Sequence, residues 1–213
     1  MTMWNEPSDG SLLRQSGDSG SMANDTVPVE ITRVGLDDWY LSLNDINKVK
    51  VKRYLPKVKA EDTAGFFLEL MMLSTEDHNY GLSITVGMYA DSHEQDPLNR
   101  FYIRNGIIEG LEGMNKFEDA KRICHANLEV FPSIKDRFLE DNGGVLPDRI
   151  ACRNKLIDIL VGVDHDYDTA IALLDEFSAI GIMNEDELEL RKNSLRIHKM
   201  QRSFDGIFTY CQK

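Results

Sequence analysis

The sequence predicts an all-α fold, an array of antiparallel helical hairpins with no sheet. Three observations lead there. Apolar residues recur at helical spacing from residue 60 onward. Strand-like alternation is confined to Lys48–Lys52, too short and isolated to build a sheet. A segment of polar residues followed by an aromatic and then an acid recurs along the chain.

The chain has 213 residues with 24 Lys and Arg against 36 Asp and Glu, a formal net charge of −12. That length suits one domain or one repeat array with a tail. Residues 1–26 are rich in Gly, Ser, Asp and Asn and show no apolar period, so they are expected to form a disordered tail or an added extension. Met22 follows Gly-Ser, which leaves the native status of residues 1–21 open. The tail has neither the basic start nor the apolar run of a secretory signal.

Residues 27–59 carry seven Lys and Arg and four Asp and Glu, whereas residues 60–99 carry eight acids and no Lys or Arg. Lys48, Lys50, Lys52, Arg53, Lys57 and Lys59 form the basic run. Two readings stand for it. It is a helical cap folded onto the acidic first hairpin and held by Trp39, Tyr40, Tyr54 and Leu55, or an arm that binds an acidic partner through Lys48, Lys50, Lys52 and Arg53. The cap is the expectation, with charge setting only its orientation because exposed ion pairs contribute about 0–1 kcal/mol.

Residues 60–213 form the repeat region. Phe117, Ala120, Cys124, Leu128 and Phe131 share one helix face, as do Tyr167, Ala170, Leu174 and Phe177, and Phe204, Ile207, Phe208 and Cys211. Pro56, Pro97, Pro132 and Pro147 stand at expected helix ends or first turns. The recurring segments are Met114–Ala120, Asp164–Ala170 and Met200–Ile207, joined by Asp77–Ser83, which shares only the polar-then-aromatic part; the aromatics Tyr80, Phe117, Tyr167 and Phe204 are spaced by 37, 50 and 37 residues. Each is expected to be a hairpin turn: polar residues cap the second helix, a buried aromatic wedges between the pair, and a small residue one turn on admits close approach. The extra residues between the second and third units fall at Ser133–Pro147. A generic bundle of amphipathic helices is the alternative architecture.

Arg100–Pro132 resembles a tetratricopeptide repeat, the 34-residue helix-turn-helix unit, with Phe117 at the turn aromatic, Ala120 at the small residue and Pro132 at the terminal proline. Tyr167 and Ala170 carry the same two marks in the next unit. Arg104 and Ile107-Ile108 stand where the family favours Trp and Leu-Gly. The resemblance covers about two-thirds of the chain and implies a right-handed α-solenoid with a concave groove lined by first helices. It places Tyr102, Asn105 and Glu109 in that groove.

Chemistry-bearing motifs point elsewhere than catalysis. Asp164-x-Asp166-x-Asp168 with Asp175 imitates a calcium loop, but Thr169 stands where the loop needs Gly and Tyr167, Ala170 and Leu174 already stripe a helix. It is expected to be an acidic cap. Cys124, Cys152 and Cys211 lack metal-ligand spacing, and Cys124 and Cys211 lie on apolar stripes. His78, His93, His165 and His198 have no partner at a recognisable catalytic spacing. Gly143-Gly144 lacks the flanking strand and lysine of a phosphate loop. The expected function is therefore a non-catalytic scaffold, cytoplasmic because three cysteines make no disulfide framework. It needs no cofactor or metal and is a monomer or weak homodimer. Its partner is a peptide or protein; overall acidity argues against nucleic acid, and apolar runs are too short for a membrane. The alternative is a regulatory or nucleic-acid-binding module that uses residues 48–59.

Overall fold

The computed structural model describes residues 26–210, with side chains through Phe204. The expectation for residues 1–26 therefore lies, except for Thr26, outside the described residues, as do those for Cys211 and for the side chains of Ile207 and Phe208. Every regular element in the described part is helical, and it contains no strand.

Three short helices come first: α1 (Val29–Arg33), α2 (Asp37–Ser42) and α3 (Asp45–Tyr54), the last running into a 3₁₀ turn at Leu55–Lys57. The Lys48–Lys52 alternation thus lies on a helix, started by Asn44, whose side chain accepts from Asn47 N–H. Longer helices follow: α4 (Thr63–Glu76), α5 (Tyr80–His93), α6 (Pro97–Gly113) and α7 (Phe117–Asp141). Then come α8 (Ala151–Ile159) with a π turn at Leu160–Asp164, α9 (Tyr167–Ala179) and α10 (Glu185–Tyr210).

Three of the four expected turns are built alike. His78, Asn115 and His165 each take a left-handed backbone, with φ of 56°, 57° and 60°. Asn and His are among the few side chains that tolerate this region. The next residue (Asn79, Lys116 or Asp166) sends its N–H back to Ser74 O, Leu111 O or Leu160 O at 2.7, 2.9 and 2.8 Å. That bond satisfies a carbonyl the ending helix would otherwise leave open. The aromatic then opens the new helix as Tyr80, Phe117 or Tyr167. Ala120 and Ala170 are fully buried, while Phe117 and Tyr167 are only half-buried, less than expected of wedges.

The fourth expected turn is not one. Phe204 lies within α10 and is 59% exposed, so it is no buried wedge. The chain turns instead at Gly181, whose φ of 76° suits glycine, and Ile182 N–H bonds back to Phe177 O. Pro132 does not end its helix either. It sits inside α7, which runs on for nine more residues to Asp141. The inserted stretch before α8 is therefore part helix and part loop.

From α3 onward neighbouring helices pack in chain order, and α6 also contacts α4 and α8. Antiparallel pairing can be read from side-chain pairs. Thr75 of α4 donates to Ser83 of α5 at 3.0 Å, and Met71 lies against Gly87. Between α5 and α6, Tyr80 lies against Gly113, Ile84 against Gly110, and Gly87 against Ile107. Two hydrophobic cores result. One joins Ile31, Trp39, Tyr40, Val51 and Tyr54 to Phe66, Leu70, Val86 and the Ile103–Ile107 face of α6. The other joins Phe101 and Ile108 of α6 to Phe131, Leu156, Leu174, Phe177 and Leu195. α6 divides them.

Candidate functional site

The face on which α4, α6 and the start of α8 meet is a cleft with two connected ends. Thr75, Glu109, Arg149, Ile150 and Ala151 wall both. One end, ≈ 400 Å³, is lined by Leu68, Met71, Met72, Phe138 and Pro147 and is mainly apolar. The other, ≈ 520 Å³, is lined by Tyr80, Glu112, Asn154, Lys155 and Asp158 and is mainly polar.

Tyr102, Asn105 and Glu109 all line the cleft, one turn apart along α6. Their roles differ. Tyr102 Oη accepts from Asn142 Nδ2 at 3.2 Å, and burial raises its pKa. Asn105 Oδ1 accepts Cys152 N–H at 3.0 Å and Asn127 Nδ2 at 3.4 Å. It thereby caps α8, whose own N-cap, Ile150, offers no side-chain acceptor. Both side chains hold the cleft wall together. Glu109 alone of the three has no hydrogen-bond or ion-pair partner among the described residues, and it is exposed at the mouth. The surrounding protein and then Glu112 nevertheless raise its pKa, against the opposing pull of Lys155.

Lys155 reaches Glu112 at 2.6 Å, so its charge is committed. Asp158, one turn on along α8, is exposed, and desolvation raises its pKa as well. Arg149 stands exposed in the shared wall, without an ion-pair partner among the described residues. Met72 is 54% exposed at the apolar end. Sequence reasoning missed this outer half of the cleft, because Arg149, Lys155 and Asp158 belong to the loop before α8 and to α8 itself, which meet α6 only through tertiary packing.

Lys48, Lys50, Lys52 and Arg53 do not line the cleft. They lie on α3: Lys48 and Lys52 sit 5.9 and 6.0 Å from the Tyr40 ring centroid, Lys50 donates to Asn79 Oδ1 at 3.1 Å, and Arg53 pairs with Asp77 at 3.0 Å. The basic segment is thus docked on the α2 aromatic and the α4–α5 turn.

The calcium-loop lookalike is dispersed. Asp164 pairs with Lys121, Asp168 with Lys199 and Asp175 with Lys192, while Asp166 caps α9 by accepting from Thr169 N–H at 3.0 Å. Among the described residues no group of three His, Cys, Asp or Glu side chains is placed to hold a metal ion. Cys124 and Cys152 are buried free thiols; burial pushes Cys152 up to about 12 and Cys124 in the same direction, so neither is a thiolate near neutral pH. No helix of the described residues is long and apolar enough to cross a membrane.

Comparisons with protein-family models, with curated proteins and with solved structures give no match to this chain.

Proposed function

We propose that the protein is a non-catalytic interaction scaffold, a tetratricopeptide-like array of hairpins that binds a peptide or protein segment in the cleft across α4, α6 and α8. One observation carries this reading: alternate helices α4, α6 and α8 share a face, and on it Tyr102, Asn105 and Glu109 line a continuous cleft with an apolar and a charged end. The recurring turns at His78, Asn115 and His165 support the repeat character. Clefts of this kind, mainly apolar at one end with few placed charges, are the usual form of binding sites.

The test is affinity capture with the full chain, followed by mass spectrometry, run beside two variants. A partner retained by wild type is expected to be lost with Met72→Glu, which puts a charge into the apolar end without touching the core. It should persist when Lys48, Lys50, Lys52 and Arg53 are all changed to Gln. The reverse pattern would instead make the basic segment the binding element.

A further inference from the structure

We propose that the acidic end of the cleft receives a lysine or arginine side chain of the bound segment, with an apolar residue of the same segment seated at the Met71–Met72 end. The charge balance there selects the ligand. Glu109, Glu112 and Asp158 line this end against Lys155, which is already paired with Glu112. Glu109 and Asp158 are left without a hydrogen-bond or ion-pair partner among the described residues, on facing helices, at the mouth of the same cavity. A carboxylate in a concave site is partly stripped of water before any ligand arrives, and a cation there recovers what the desolvation costs. The raised pKa of both groups, caused first by desolvation, agrees with this. Arg149 is the one unpaired cation in the cleft walls, and it lies in the wall shared with the apolar end. It therefore disfavours a second positive charge near the methionines and sets the spacing: apolar residue inside, basic residue beyond Arg149.

If the cleft binds no peptide at all, this selectivity has nothing to act on, so the test separates the two. The full chain is immobilised and panned against a random dodecapeptide phage library, and the enriched peptides are synthesised for calorimetric titration. Enriched sequences are expected to pair an apolar residue with a Lys or Arg. Glu109→Gln and Asp158→Asn should each weaken binding about two- to fivefold, and Arg149→Glu should tighten it. Raising the salt should weaken binding to wild type and matter little to the double neutral variant. All three positions are exposed, so a circular-dichroism melting temperature no lower than that of wild type serves as the control on folding. Peptides that lose binding with Met72→Glu but carry no basic residue, or bind the double variant as well as wild type, overturn the charge selectivity and leave the cleft reading standing. A library yielding no peptide sensitive to Met72→Glu overturns both.

Discussion

Arg153 shows how much one side chain can fasten. It is fully buried, and its guanidinium donates to Ile182 O at 2.9 Å, Asp148 O at 2.7 Å, Asn154 Oδ1 at 3.0 Å and Glu187 Oε2 at 3.1 Å. One planar group thus ties the loop before α8 and the α9–α10 turn to the start of α10. Arg153→Met should cost about 3–5 kcal/mol in denaturant unfolding, because buried carbonyls and Glu187 lose their donor. Arg153→Lys should recover only part of this, since an ammonium cannot span the same acceptors. Nothing in the sequence marks this arginine: it acts on loop carbonyls, which have no side-chain signature, and charged residues on amphipathic helices are usually solvated. Glu109 gives the opposite case: the repeat resemblance implies a groove position for it, and it lines the cleft beside Tyr102 and Asn105. Its pKa is raised in the folded protein. A raised carboxylate binds its proton more tightly folded than unfolded, so ionisation costs stability as pH rises through the unfolded and then the folded value. Glu109→Gln should therefore raise the melting temperature slightly at pH 7, by no more than about 1 kcal/mol equivalent for so exposed a group. The gain should disappear below the ordinary carboxylate range, where Glu109 is protonated in both states. An equal gain at both pH values would mean that charge is not the cause.

At the scale of elements, local chemistry explains which turns could be read. The three real turns place His78, Asn115 and His165 two residues ahead of the aromatic, where the backbone is left-handed. The false one places Arg202 there, which has no comparable tolerance, and α10 continues through it. All four segments share the polar-then-aromatic pattern, and the false one even has the acid that Tyr80 lacks; the residue that bends the chain is not shared. Pro132 misled for a related reason. Its missing N–H and fixed ring oppose a helix interior, but α7 buries Phe131, Ile134 and Phe138 around it, and that packing carries the helix past the proline. Phe204→Ala should consequently change stability by no more than about 0.5 kcal/mol, whereas Phe131→Ala should cost about 3–5 kcal/mol. Comparable losses from both, measured by urea unfolding, would mean that Phe204 is covered in solution. The approach of α4, α5 and α6 rests on a detail that periodicity cannot show. A Cβ at Gly87 would lie 2.5 Å from Ile107 Cγ1 and 2.6 Å from Met71 Cε. Gly87→Ala should thus lose about 1–2 kcal/mol despite alanine's better helix propensity. Gly81→Ala, where nothing lies within 4 Å, should be neutral or stabilising.

Across the whole molecule, the division of the two cores by α6 decides what the first helices do. Residues 27–59 have no core of their own. Ile31, Trp39, Tyr40, Val51, Tyr54 and Leu55 are buried in the same cluster as Phe66, Phe67 and Leu70. Trp39 meets Phe67 edge-on at a centroid distance of 5.1 Å and Phe66 at 6.1 Å. Polar ties from this segment to the body are partly exposed, among them Arg53 to Asp77 at 3.0 Å, Lys50 to Asn79 Oδ1 at 3.1 Å, Lys59 N–H to Glu69 Oε2 at 2.6 Å, Thr63 Oγ1 to Val34 O at 3.0 Å and Arg33 to Ala60 O at 2.9 Å. The charge segregation of the sequence thus points to the right neighbours, while the energy lies in the aromatics. A buried tryptophan of this kind is worth about 3–5 kcal/mol on truncation, against about 0–1 kcal/mol for an exposed pair. Trp39→Ala in the full chain should therefore sharply lower the melting temperature, whereas Arg53→Gln should barely move it, and added salt should leave both results unchanged. Deleting residues 27–59 should go further. It uncovers Phe66, Phe67 and Leu70 together, an apolar patch of the kind that drives association, and the shortened chain should aggregate or bind a hydrophobic dye that the intact chain does not. The second core, from Phe101 through Leu195, shares α6, α7 and α8 with the first, the latter two through Ala120 and Ile159, but includes no residue of the deleted segment. Amide hydrogen exchange on the shortened chain should show protection lost in α4 and α5 and kept in α7 to α9. If it instead stays monomeric, with α4 and α5 as protected as before, the first three helices are not a cap and the basic segment becomes the candidate binding element.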